Sequence, residues 1–125
     1  MWILALTFCL GDSTAAFRVP VARAEWLQVS VSGDGRPVVL IPGLFGSRFG
    51  FRNVVPGLTE AGYRVIVIEP LGIGSSARPE GSDYSLTAQA DRIAAVLDTL
   101  GVRAAVVVAH ALGGQHLLQR RVVHA

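Results

Sequence analysis

Val106-Val107-Val108-Ala109-His110-Ala111-Leu112-Gly113-Gly114 is an apolar, β-branched run that gives way to a cluster of small residues. With Ala104 and Ala105 in front, the run through Val108 fits a strand buried on both faces of a parallel sheet. A sharp turn must follow, because Leu117 and Leu118 beyond it are read as part of a helix that continues to the end of the sequence. Such a turn brings the strand and helix backbones together. Small residues are therefore needed two positions either side of Ala111, where Ala109 and Gly113 stand.

Working outward, Pro37-Val38-Val39-Leu40-Ile41 and Arg64-Val65-Ile66-Val67-Ile68 are short continuous apolar runs of the same kind. Trp26 to Ser32 alternates apolar and polar as a half-buried strand does, and Gly33-Asp34-Gly35 ends it. A first helix is predicted from about Phe51 to Ala61, interrupted by Pro56 and stopped by Gly62. The second is better marked: Leu86, Ala90, Ile93, Ala94, Leu97 and Leu100 share one face, with Ser85 as N-cap and Gly101 as stop. Strands alternating with helices specify an α/β fold, a parallel sheet with right-handed crossovers and helices on both faces.

Composition narrows the function classes. A 125-residue chain that is 51% hydrophobic can bury a core and suits one small domain or part of a larger one. The net charge is +2, but the cations are all arginine and are scattered, with Arg120-Arg121 the one adjacent pair, so no nucleic-acid footprint is present. A single cysteine, Cys9, excludes an intrachain disulfide and a multi-cysteine metal site, and the three histidines lack zinc-motif spacing. The run Trp2–Leu10 is too short to span a bilayer. Residues 1–24 are read either as an N-terminal extension or as a signal segment ending at Ala22-Arg23-Ala24, although no Lys or Arg precedes the apolar run. The main domain is placed at 25–125. Cytoplasmic location is the default and secretion the alternative if 1–24 is a signal peptide.

Three landmarks in order resemble the N-terminal half of the α/β-hydrolase fold superfamily, in its esterase, lipase and haloperoxidase-like branch, over roughly Arg36 to Leu118. The first is Ile41-Pro42-Gly43-Leu44-Phe45-Gly46-Ser47, with Pro42 where relatives carry His. The second, Glu69-Pro70-Leu71-Gly72-Ile73-Gly74-Ser75-Ser76, is similar to the family's Asp-x-Arg-Gly-x-Gly-x-Ser turn, with Glu for Asp and Leu for Arg. The third is the nucleophile elbow, G-x-S-x-G in relatives and A-x-A-x-G here. The resemblance implies that Ala111 occupies the nucleophile position and that the backbone N–H groups of Leu44 and Leu112 form the oxyanion hole. It also implies an ancestral serine-dependent hydrolysis of an ester-like or acyl bond, no cofactor, and a small apolar ester or acid as ligand. Ala111 keeps the β-carbon and lacks the hydroxyl, as a single Ser-to-Ala step would leave it.

In this family the triad acid and histidine follow later strands, so this stretch supplies neither and is expected to be catalytically silent. A non-catalytic module that binds a small ligand or a partner is the alternative. Gly72-Ile73-Gly74-Ser75-Ser76-Ala77 also matches a dinucleotide fingerprint, but Arg78-Pro79-Glu80-Gly81 follows where that motif must open a helix, so it is set aside. His110 is read as packing behind the elbow; His116 and His124 fall in the last helix; Asp83, Asp91 and Asp98 are read as the cap and exposed face of the second helix. A strand over 104–108 without an outer neighbour leaves an apolar edge, and self-association through it is expected.

Overall fold

Arg36–Ile41 lies between two parallel neighbours, and the rest of the structure is arranged around it. The computed structural model describes residues 14–43 and 46–109. Its elements are β1 (Thr14–Ala22), β2 (Glu25–Ser32), β3 (Arg36–Ile41), a 3₁₀ turn (Arg48–Phe51), α1 (Val55–Glu60), β4 (Tyr63–Glu69), α2 (Leu86–Thr99) and β5 (Val106–Ala109). The sheet order is β1-β2-β4-β3-β5.

The parallel sheet expected from sequence is present in β4-β3-β5. The whole sheet is mixed, because β2 pairs antiparallel with β4 and β1 antiparallel with β2. Strand β1 falls within the segment 1–24 that the sequence pattern sets apart from the main domain. Phe17, Val19 and Val21 alternate there, and Val19 is buried. Pro20 obscures the pattern, since proline cannot donate to a ladder. It is tolerated because β1 is at the edge of the described sheet, and the register shifts between Pro20 and Ala22. Of the small-x-small triplet, Ala22 ends β1 while Arg23 and Ala24 form the turn of this hairpin, with Ala24 at φ +61°.

Alternation along the strands divides the core between the two faces. Val38, Leu40, Val65 and Val67 pack against Phe51, Val55 and Leu58 on the α1 side. Val39, Ile41, Ile66 and Ile68 pack with Ala90, Ile93, Val96 and Leu97 of α2 on the other. Helices thus cover both faces, as expected. The first helix is shorter than predicted: Ser47 caps a separate 3₁₀ turn, and Pro56 stands in the first turn of α1, where its missing N–H costs nothing. In α2 the Ser85 hydroxyl accepts from the Ala88 N–H at 3.2 Å, and Gly101 follows at φ +72°. Leu86 is 38% exposed, so the apolar face begins a turn later than the spacing suggested. The expected strand at 104–108 is observed at Val106–Ala109, but it is not buried on both faces: Val106 and Val108 are exposed on one of them.

One ion pair fastens β2 to α2. Arg92 Nε donates to Glu25 Oε1 at 2.9 Å and Nη2 to Oε2 at 3.3 Å, while the Ser82 hydroxyl donates to Oε2 at 2.8 Å. Hydrogen bonds from Arg92 and then Ser82 hold the Glu25 carboxyl below its ordinary value of 4.5. A depressed folded value means that this stability is fully present above pH 4.5 and is lost as pH falls through the lowered value. Glu25→Gln is therefore expected to flatten the fall in melting temperature below pH 4.5 relative to the parent chain; superimposable acid limbs in thermal melts would refute this.

Candidate functional site at the carboxyl end of the sheet

Parallel pairing puts the ends of β3 and β5 side by side, with Ile41 opposite Ala109. The segment that leads to position 44 and the one that leads to position 111 therefore leave the sheet from adjacent strands at the same end. Neighbouring strands stand about 4.8 Å apart. Both strand ends are apolar, with Ile41 buried and Ala109 half-buried. Past β3, the Gly46 N–H donates to the Gly43 carbonyl at 2.9 Å. Leu44, Ala111 and Leu112 themselves lie outside the described residues, as do His110, His116 and His124.

The turn after β4 flanks this end and is built around a buried carboxylate. Glu69 is 1% exposed at the last position of β4. Its Oε2 accepts from the Ser75 N–H at 3.2 Å, and its backbone carbonyl accepts from the Ser76 hydroxyl at 2.6 Å. That hydroxyl in turn accepts from the Gln28 N–H at 2.8 Å, so one serine joins β4, the turn and β2. Among the described residues Oε1 of Glu69 has no hydrogen-bond partner. An orphaned buried acceptor costs about 1–3 kcal/mol, while the turn closes tightly on Oε2.

Gly74 makes that fit. It sits at φ +58°, and a β-carbon there would overlap Oε2 of Glu69. The two departures from the family motif have separate physical accounts. Glutamate in place of aspartate reaches one methylene further towards the Ser75 N–H. Leucine at 71 is 1% exposed and joins the α2-side core, while its N–H and C=O are clamped by Gln89 at 3.1 and 2.8 Å. Gln89 does not stand out in the sequence. Its signal is its place on the first turn of α2, next to the apolar stripe. The acids of that helix lie where the sequence puts them. Asp83 accepts from the Ser85 N–H at 2.8 Å, which lowers its carboxyl below the usual range, and Asp91 and Asp98 are on the exposed face.

Among the described residues no group of His, Cys, Asp and Glu is placed to hold a metal, and no helix is long and apolar enough to cross a membrane.

Residues 36–119 match the family model described as alpha/beta hydrolase fold. The bifunctional epoxide hydrolase 2 of Sus scrofa is 39% identical over 96 residues, which are 76% of this chain and 17% of that protein. The magnesium-chelatase 30 kDa subunit of Rhodobacter capsulatus is 34% identical over 107 residues, 85% of this chain and 37% of that protein. Among solved structures, a bromoperoxidase from Bacillus anthracis superposes with a TM-score of 0.79 at 28% identity, over 86% of this chain and 39% of that one. The chain thus spans between 17% and 39% of the lengths of these relatives.

The turn gives a direct test. Gly81 has φ +77° and open space for 4 Å around the place a β-carbon would take, so Gly81→Ala is expected to cost the left-handed strain alone, about 1–2 kcal/mol. Gly74→Ala carries the same strain and displaces Glu69, with an expected cost of about 2–5 kcal/mol by urea unfolding. Equal costs for the two would show that Gly74 is not packed on the carboxylate.

Proposed function

The chain belongs to the α/β-hydrolase fold family, and on that premise we propose that its sheet end is the acyl-handling site of a hydrolase lineage whose nucleophile seat, Ala111, carries no hydroxyl. The lineage reaction is hydrolysis of an ester-like or acyl bond. A serine oxygen at 111, giving its proton to a base, attacks the carbonyl while the N–H groups of Leu44 and Leu112 hold the oxyanion; the ester C–O bond breaks, the alcohol leaves with that proton, and water hydrolyses the acyl-enzyme to the free acid and serine. A methyl group at 111 offers no lone pair, so that covalent step does not occur. What the seat keeps is a place for a small apolar ester or acid beside two backbone donors. Complete enzymes that lose one triad member retain about 10³–10⁴-fold catalysis over water, which sets a ceiling for this chain.

The observation that carries the reading is Ala111 within the elbow motif. Its support is the register of β3 and β5, which starts the oxyanion segment and the elbow segment on adjacent strands. The resemblance takes the base and its acid from strands later than β5, so the 125-residue polypeptide is expected to give no acyl-enzyme burst with p-nitrophenyl acetate, and Ala111→Ser is expected to give none either. A stoichiometric burst from the parent chain would overturn the assignment of position 111; one from Ala111→Ser alone would place a working base within these residues.

A second reading, a non-catalytic module that receives a partner strand, draws on one feature. Val106 and Val108 of β5 are 55% and 49% exposed, and β5 ends the strand order of the described sheet. Apolar sheet edges template pairing with further strands. Under this reading the polypeptide sediments as concentration-dependent oligomers; a monomer at every concentration would exclude it.

A further inference from the structure

A groove of about 570 Å³ runs between the hairpin of β1 and β2 on one side and the 3₁₀ turn and α1 on the other. Its floor includes Ser30, 5% exposed, and Val67, 4% exposed; Phe49 and Val55 contribute an apolar wall. Two arginines line it, Arg48 on the 3₁₀ turn and Arg52 directly after it. Arg48 Nη1 donates to the Ser30 hydroxyl at 3.3 Å, and Arg52 lies 4.1 Å from the centroid of the Phe49 ring with Nη1 donating to the Phe49 carbonyl at 3.1 Å. Among the described residues neither guanidinium has a carboxylate partner.

The opposite end of the groove has the other sign. Asp34 lines it, in the turn between β2 and β3, where a β-carbon on the neighbouring Gly33 would stand 3.0 Å from Thr59 at the far end of α1. The site is therefore polarised along its length, with cations at one end, an anion at the other and apolar walls between. Guanidinium groups bind carboxylates through paired N–H donors, and arginine stacked on a ring is already ordered for that contact. A volume of this size falls within the roughly 300–1,000 Å³ of small-molecule sites.

We propose that this groove binds a small amphiphilic carboxylate, its headgroup on Arg48 and Arg52 and its apolar body along Phe49, Val55 and Val67. Asp34 fixes the direction, since a headgroup at that end meets a like charge. Neither Ile41 nor Ala109 lines the groove, and its chemistry does not involve residue 111.

The test titrates the full chain with octanoate and, as an uncharged match, octanol, followed by amide chemical shifts. Octanoate is expected to saturate shifts within residues 30–34 and 48–59, to bind at least tenfold more tightly than octanol, and to weaken as sodium chloride is raised. The double variant Arg48→Gln, Arg52→Gln is expected to lose at least tenfold in octanoate affinity while octanol is unaffected. Equal affinity for the two probes, shifts centred on Gly43 and Gly74 instead, or an unchanged double variant would each overturn the proposal. If the double variant does not fold, the salt dependence and the probe comparison on the parent chain decide it alone.

Discussion

The structure depends on the burial of β3 between two parallel neighbours. Val38 and Leu40 serve one face and Val39 and Ile41 the other, and all four are buried. Because side chains alternate strictly along a strand, a one-residue slip would exchange the two faces and put each set against the wrong helix. The register with β4 and β5 is therefore fixed by packing. That register also sets the position of Ile41 beside Ala109. The geometry of the candidate site is in this sense a consequence of the core.

The turn at the carboxyl end of the sheet is closely constrained. Glu69 is buried with one oxygen unpartnered among the described residues, and the turn beside it takes positive φ at Gly72 and Gly74, which glycine adopts without a β-carbon clash. Backbone and hydroxyl groups hold it rigid: Ser76 bonds Glu69 and Gln28, Ala77 N–H bonds the Trp26 carbonyl, and Gln89 clamps Leu71. These contacts tie the turn to β2 and α2 together, so the loop next to the site is braced from both layers.

The long, strongly patterned segments are legible in the sequence. Buried strands such as 64–68 announce themselves as continuous apolar runs, and α2 by its capped stripe. The hairpin strand β1 is not legible, because Pro20 interrupts a short alternation and an apolar run precedes it. A proline also misplaces α1, since Pro56 reads as an interruption in isolation and is a helix start in the fold. The mixed character of the sheet cannot be read from β2 alone, whose alternation is the same whether its neighbours run with or against it. At the site, the motif identifies Glu69 and Ser76 as members of a turn, but their bonds to β2 depend on a strand pairing remote in sequence. Leu44, Ala111 and Leu112 are known by motif alone and lie outside the described residues. The arginine-lined groove leaves no sequence signal, because Arg48 and Ser30 are 18 residues apart and meet through the packing of the 3₁₀ turn on β2.

The sheet end can serve as the site only if β5 lies parallel to β3 with Ile41 level with Ala109. Cross-strand nuclear Overhauser contacts in the isotope-labelled chain measure this directly. Parallel-strand contacts linking Val39 with Val107 and Ile41 with Ala109 are the expected result. A β5 that pairs in another register, or with no contact to β3, would separate the two segments and contradict the assignment of this sheet end as the site.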